Sequence, residues 1–152
     1  MTRRRTQTVV TRAHAWVYRL SRGRVGGRLL GMEQVLLTTT GRSSGRPRTT
    51  PLSAFPLDDE HDGTAGTAVR GGVVLVASDG GQPRHPQWYR NLCVNPEVIV
   101  RRGPRSVPMR ARTATAAERA RLWPGVVAAH GGYADYQERT DREIPLVICE
   151  PR

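Results

Sequence analysis

Gly72-Val73-Val74-Leu75-Val76-Ala77-Ser78-Asp79-Gly80-Gly81 is the stretch on which the fold turns. Residues 73–77 are all apolar, and Val73, Val74 and Val76 are β-branched, so the segment reads as the most strand-like run in the chain, a buried central strand. Ser78 and two adjacent glycines end it, which places a turn at the end of a central strand.

Working outward, Val35-Leu36-Leu37-Thr38-Thr39-Thr40 is a second β-like run. Residues 48–57 are extended but contain Pro51 and Pro56, which suits an edge or bulged strand. Residues 58–72 are acidic, then Gly- and Thr-rich, as in a loose hairpin connection. Downstream, residues 86–94 take helical spacing: Pro86 fits a first turn, Trp88 and Leu92 share a face, and Asn95-Pro96 ends the segment. Residues 97–102 and 105–113 predict a hairpin around Gly103-Pro104. Thr115-Ala116-Ala117-Glu118 is a capping box that starts a helix. Pro124 begins a second helical piece, residues 133–139 predict a short helix, and residues 144–149 a last apolar strand. Helices are inserted among strands and do not alternate with them. The fold class is therefore mainly β with peripheral helices (α+β), a small antiparallel barrel and not a doubly wound sheet.

The 152 residues suit one domain with one core. Residues 1–22 form a basic N-terminal piece, and residues 23–152 the barrel. Within residues 7–22, Val9, Val10, Ala13, Trp16, Val17 and Leu20 follow helical spacing with Arg12, Arg19 and Arg22 at polar positions. Packing over the fold and peripheral contact with an anionic membrane both fit such a helix. The N-terminus lacks the apolar centre of a secretory signal. No apolar run approaches the roughly 18 residues of a membrane span. Cys93 and Cys149 lie far apart and outside any metal-type pair, as expected of two buried thiols in a reducing, cytoplasmic setting.

The net charge is +11, and all 24 basic residues are arginine. Guanidinium groups grip phosphates and carboxylates with paired hydrogen bonds, so anionic partners are expected. Nucleic acid is the least supported of these, because no helix-turn-helix, zinc-finger or RNA-recognition signature accompanies the charge. His14, His61, His85 and His130 have no zinc-ligand spacing, and the acidic run at residues 58–62 lacks a calcium-loop pattern, so no metal site is expected.

Four segments carry candidate chemistry. In Thr38-Thr39-Thr40-Gly41-Arg42-Ser43-Ser44-Gly45-Arg46-Pro47-Arg48 the glycines permit tight turns, and hydroxyls, backbone N–H groups and guanidiniums can hold phosphate. A basic β-turn on a solvated face fits the composition equally well. The segment is not a P-loop, since the Gly-Lys-Ser/Thr ending is missing. Ser78 with Gly80 and Gly81 would let a flat ring lie against the backbone, or would form an ordinary turn. In His85-Pro86-Gln87-Trp88-Tyr89-Arg90-Asn91-Leu92 the residues Trp88 and Leu92 fit a core, whereas Asn91 needs a polar partner. Tyr133 and Tyr136 stand three apart, so on a helix they share a face and can line a pocket; packing on the core is the plain alternative.

Together these segments resemble one family. Its signatures are Leu36-Leu37-Thr38-Thr39-Thr40-Gly41-Arg42 with Ser44-Gly45, Arg48 and Pro51-Leu52; Val76-Ala77-Ser78 with Gly80-Gly81; Pro86, Trp88-Tyr89, Asn91-Leu92 and Asn95-Pro96; and Tyr133, Asp135-Tyr136, Thr140-Asp141-Arg142 and Ile144-Pro145. The chain resembles the deazaflavin (coenzyme F420)-dependent nitroreductase family over about residues 10–151. The resemblance implies a split β-barrel like that of flavin-mononucleotide-binding oxidoreductases. It implies a hydride transfer from reduced deazaflavin to a quinone, an activated alkene or a nitroaromatic. Cofactor-binding residues would be Thr40, Gly41, Arg42, Ser43, Ser44, Gly45, Arg48, Thr50, Pro51, Ala77, Ser78, Asp79, Gly80, Gly81, Pro86, Trp88 and Asn91. Residues 42–48 would take the phosphate and acidic tail, and Ser78, Gly80, Gly81, Pro86 and Asn91 the ring. Tyr133, Tyr136 and Ser78 would bound the acceptor and carry the catalytic roles. The chain departs from better-known members at Asp79, where a basic residue is common, at His130 and Ser53, where tyrosine is common, and at Ser43 and Arg46. These departures set nitroimidazole reduction apart from what the resemblance implies. A non-catalytic carrier of F420 or a flavin such as FMN is the alternative. The expected partner is a small-molecule electron acceptor, with a homodimer left open.

Overall fold

The computed structural model describes residues 28–29, 32–57 and 71–152. The helix expected over residues 7–22 and most of the acidic connection lie outside the described residues. In chain order the elements are β1 (Arg28–Leu29), β2 (Met32–Thr40), β3 (Pro47–Pro56), β4 (Val73–Val76), a 3₁₀ turn (Asp79–Gly81), α1 (Gln87–Val94), β5 (Glu97–Arg102), β6 (Arg105–Thr113), α2 (Ala116–Ala129), α3 (Gly132–Glu138) and β7 (Leu146–Pro151). None of the described helices is long and apolar enough to cross a membrane.

All strand pairs are antiparallel. The sheet runs β1-β2-β3-β4-β7-β6-β5, and β5 pairs back onto β2 through Leu36↔Arg101, Leu37↔Val100 and Thr38↔Ile99. Six strands, β2 to β7, thus close into a barrel. At this seam Arg102 grips Glu33 with two parallel bonds, Nε to Oε1 at 2.9 Å and Nη2 to Oε2 at 2.6 Å. Both side chains are about a third exposed, so the pair contributes roughly 1 kcal/mol or less.

Alternation along each strand explains the apolar runs. Val73, Leu75 and Ala77 face inward with Val35, Leu37, Val98, Val100, Met109, Ala111, Val147 and Cys149. Val74, Val76, Leu146 and Ile148 form a second cluster with Val126, Tyr133 and Ile144, against which Leu122, Trp123 and Tyr136 pack. α2 and α3 therefore cover the outside of β4 and β7, and those strands are apolar on both faces. α1 sends Trp88 and Leu92, one turn apart, into the interior cluster. The β5–β6 hairpin turns on Gly103 and Pro104, as expected, with Gly103 at φ +57°.

Three expectations need correction. β3 is an edge only over its first part: it pairs β2 from Pro47 to Ala54, but pairs β4 only through Ala54, Phe55 and Pro56. Pro51, which has no N–H to donate, sits in the part bonded on one side. α2 does not restart at Pro124 but runs through it. Ala120, whose carbonyl loses its partner there, is exposed, so water can satisfy it. Of the two thiols only Cys149 is buried, and burial pushes its pKa up to about 12; Cys93 is exposed on α1.

The capping box of α2 is present. Glu118 N–H donates to Thr115 Oγ1 at 3.2 Å, and Thr115 N–H donates to Glu118 Oε2 at 2.8 Å. Arg112 adds two bonds to the same carboxylate, at 2.8 and 2.9 Å. The Arg112 contact is the main reason the Glu118 carboxyl falls to about 2. α3 lies directly on the Asp79–Gly81 turn. A Cβ on Gly81 would stand 2.5 Å from Tyr136 O and 3.1 Å from both Tyr136 Cα and Arg139 Cβ, whereas one on Gly80 would meet nothing within 4 Å.

Two outcomes follow. Gly80 and Gly81 both have positive φ, +64° and +79°. Gly80→Ala should cost about 1 kcal/mol for the left-handed backbone alone. Gly81→Ala should cost about 3 kcal/mol, because the clash with α3 backbone adds to it. Urea unfolding of the two variants measures the gap, and equal losses would contradict the close approach. Glu118→Gln keeps a cap acceptor but loses the ion pair. The folded carboxyl is depressed, so the wild-type advantage should be full above the unfolded value of about 4.5 and vanish as pH falls through about 2. A stability difference independent of pH would refute this.

Candidate active site

The β2–β3 connection is a tight turn that leaves its cations outside. Gly41 N–H donates to Arg46 O at 2.8 Å, and Gly45 N–H to Gly41 O at 2.8 Å. Gly45 has φ +65°, and a Cβ on Gly41 would meet Ser44 Oγ at 2.5 Å. Ser44 Oγ accepts from Arg46 N–H at 3.2 Å. Arg42, Ser43, Ser44, Gly45, Arg46 and Arg48 are all exposed, with Thr40 and Thr50 half-buried behind them and Pro51 next along β3.

α1 holds this turn through one buried amide. Asn91 is only 5% exposed, so its polar atoms need partners. Its Oδ1 accepts from the Arg42 backbone N–H at 3.2 Å and from Arg42 Nη1 at 3.1 Å, and its Nδ2 donates to Thr39 Oγ1 at 3.2 Å. Gln87, one turn earlier, accepts from Arg42 Nη1 at 2.7 Å. The partner that the sequence demanded for Asn91 is thus the arginine turn itself.

The same helix follows the second loop, since Pro86 is its N-cap residue. Ser78 is buried, and Asp79 and Gly80 are exposed. Arg142, between α3 and β7, ties this loop together. Its Nη2 donates to Ser78 O at 2.7 Å, Nη1 to Ala77 O at 3.2 Å, and Nε to Gln82 O at 2.9 Å. Nη1 also lies 3.1 Å from His85 Nδ1. Burial lowers the pKa of this arginine, and Asp79 and Tyr89 oppose the shift. Burial, then Arg142 and Arg90, hold His85 below the usual histidine range, so its Nδ1 is an acceptor for the guanidinium. The ring of His85 rests on Tyr89 at 4.8 Å.

Tyr133 and Tyr136 both lie on α3, with ring centroids 5.9 Å apart and edge-on. Tyr133 also meets Phe55 at 6.0 Å and His130 at 5.4 Å. Burial raises the Tyr133 phenol above its usual range, the Ser53 hydroxyl opposes this, and Tyr136 adds to it. Gln34, buried in β2, donates to Ser53 Oγ at 2.8 Å.

The arrangement brings together most of the residues expected from sequence. Asn91 joins the turn at residues 41–46 to α1, and Gly81 joins the loop at residues 78–81 to the tyrosine helix. Ala77 and Trp88 instead belong to the barrel interior. Arg142, His85 and Gln34 carry contacts that spacing gave no reason to single out. Among the described residues no group of three or more His, Cys, Asp or Glu could hold a metal. The site offers exposed guanidiniums, a backbone turn and phenols: means to hold an anion, seat a ring and give a proton.

Comparison with known proteins agrees with this chemistry. The family described as F420H2-dependent quinone reductase matches residues 10–151. An F420H2-dependent quinone reductase of Mycobacterium tuberculosis is 38% identical over 145 residues, covering 93% of this chain and 89% of that protein. The solved structure of an F420H2-dependent reductase, FDR-A, superposes with a TM-score of 0.64 at 40% identity, covering 77% of this chain and 93% of the other. A second solved structure, a domain-swapped dimer, gives 0.66 at 36% identity over 90% of this chain and 98% of its own. A family match over nearly every residue, a relative covered over most of its length and a superposed reductase barrel agree: the chain belongs to the F420H2-dependent quinone reductase family, oxidoreductases that use coenzyme F420.

Proposed function

We propose that the turn at residues 41–46 holds the anionic end of F420, that the loop at residues 78–81 seats its ring, and that a quinone is reduced beside Tyr133 and Tyr136. The observation that carries the proposal is the Asn91 clamp, which fixes an arginine turn to the same helix whose start follows the ring loop. The residues present fit the cofactor. Arg46 and Arg48 form no salt bridge among the described residues. A Cβ on Gly45 or Gly80 would meet nothing within 4 Å, so both turns have open space above them.

When bound and reduced, F420 supplies the hydride. The protein's work is placement and charge control. Arg42, Arg46 and Arg48 neutralise phosphate and carboxylate groups. Gly80 leaves open space for a flat ring beside Ser78, while Gly81 packs against α3. A quinone that accepts hydride at one oxygen or carbon gains negative charge on oxygen and needs a proton. Tyr133 can donate it, because a phenol carries its proton through neutral pH, and burial raises this one further. The Ser53 hydroxyl, which accepts from the Gln34 amide at 2.8 Å, opposes that rise and so favours the phenolate that proton donation leaves.

The domain-swapped relative supports a homodimer. The cytoplasmic setting and the membrane contact of residues 7–22 rest on the sequence alone.

Mixing the protein with reduced F420 and a soluble naphthoquinone should give catalysed return of the oxidised cofactor's absorbance. No turnover with a quinone would sink the activity. Asn91→Leu should raise the dissociation constant for F420 about tenfold. It should leave turnover at saturating cofactor nearly intact, as fluorescence titration and steady-state rates will show. Unchanged affinity in the folded variant would remove the clamp from the account. Tyr133→Phe should lower kcat with the quinone about a hundredfold while cofactor affinity holds. A wild-type kcat would exclude Tyr133 as the proton donor.

A further inference from the structure

Arg139 caps the C-terminal end of α3, and its side chain leaves the backbone where that helix meets the loop at residues 78–81. A Cβ on Gly81 would stand 3.1 Å from Arg139 Cβ, and the guanidinium carbon lies 5.5 Å from the centre of the Tyr136 ring. The residue is exposed. Asp135 stands one turn back and Glu138 next to it, and Asp79 lies on the facing turn. Among the described residues no ion pair joins any of the three to Arg139.

The neighbouring arginines are held differently. Arg119 lies 4.4 Å from the Trp123 ring, but it also donates to Ile144 O at 2.9 Å and to Gln137 Oε1 at 3.0 Å. Arg142 donates to the carbonyls of Ala77, Ser78 and Gln82. Both cations join elements of the fold. Arg139 instead rests its charge on an aromatic face. A ring quadrupole attracts a cation but carries no net charge, so it keeps the guanidinium in place without neutralising it. At an exposed site this contact is weaker than a charge-assisted hydrogen bond to an anion, so an anionic group can draw the guanidinium away. Tyr136 is half-buried and meets Tyr133 edge-on. The aromatic wall thus carries a positive charge on a ring of its own.

We infer that Arg139 is a specificity-determining residue that selects acceptors carrying an anionic substituent, a carboxylate or a sulfonate, beside the reducible quinone ring. The inference rests on the acceptor lying against Tyr133 and Tyr136, as proposed above. A guanidinium meets such a group with two parallel N–H bonds, whereas an ammonium acts as a point charge. The redox step is unaltered by the substituent. The quinone gains a hydride from the reduced cofactor and one proton and leaves as the quinol, and the anionic group neither gains nor loses electrons.

The test measures kcat/KM with reduced F420 for a neutral naphthoquinone and for its sulfonated derivative, in wild type and in variants checked for folding by circular dichroism. Arg139→Gln should lower the sulfonated-to-neutral ratio about tenfold, chiefly through KM, with Arg139→Lys between it and wild type. Arg110→Gln removes the same charge from an exposed position on β6 and should keep the wild-type ratio. An equal fall there would mean that the general field of a chain of net charge +11 does the selecting, and would overturn the inference. A merely structural role for Arg139 lowers both acceptors equally and leaves the ratio where it was, which overturns it too. So does a loss of F420 affinity with an unmoved ratio, because the cation would then serve the cofactor. Should Arg139→Gln not fold, Arg139→Lys decides by the same ratio, and if neither folds the residue is structural and the inference fails. Wild type that reduces no quinone defeats the reading of the acceptor and the inference with it. Turnover with an unmoved ratio in the folded variants defeats the inference alone, so the two failures are distinct.

Discussion

Antiparallel pairing of β2 with both β3 and β5 is the constraint from which everything else follows. β3 binds one side of β2, and β5 binds the other through residues 36–38. A strand shared in this way closes the sheet and satisfies backbone groups that an open edge would leave exposed. Closure also fixes which side chains face inward, because a strand slipped by one residue would turn Val35 and Leu37 outward. The end of β2 then emerges at a defined place, and the turn after it inherits that place. A site built from the ends of several strands gains its accuracy from this closure.

Two polar side chains hold the turn at residues 41–46 and the loop at residues 77–82, and they use different physics. Asn91 is neutral and buried, and it satisfies itself on the turn that it orders. Such an amide is stabilising only where all its partners are in reach, which makes it specific for one arrangement of turn and helix. Arg142 is charged, and it takes neutral carbonyls as partners. Asp79, on the same loop, also acts on its charge.

The architecture was largely legible in the amino-acid order. The run at residues 73–77 announced a central buried strand, and the structure adds that helices cover its outer side, so it is apolar on both faces. Thr115 and Glu118 announced a helix start because capping depends only on four consecutive residues. Asn91 was legible as a polar residue in want of a partner, but the partner, Arg42, is 49 positions away and no periodicity reaches that far. Arg142 was legible only as part of a family signature, and its contacts were not, because three of them are to backbone oxygens and every residue has one. Cys93 was misjudged because a helix so short leaves one side to water whatever its composition. Pro124 was misjudged because a broken backbone bond costs little where solvent replaces it.

The contact between Gly81 and α3 ties the halves of the site mechanically. Tyr136 rests its own backbone oxygen on a residue without a side chain, and nothing soft lies between them. The loop at residues 78–81 and the aromatic wall therefore cannot shift independently. Displacing the first by a fraction of an ångström moves the second with it, so a ring and an acceptor placed as proposed would keep a separation set by hard contact and not by the flexibility of either element.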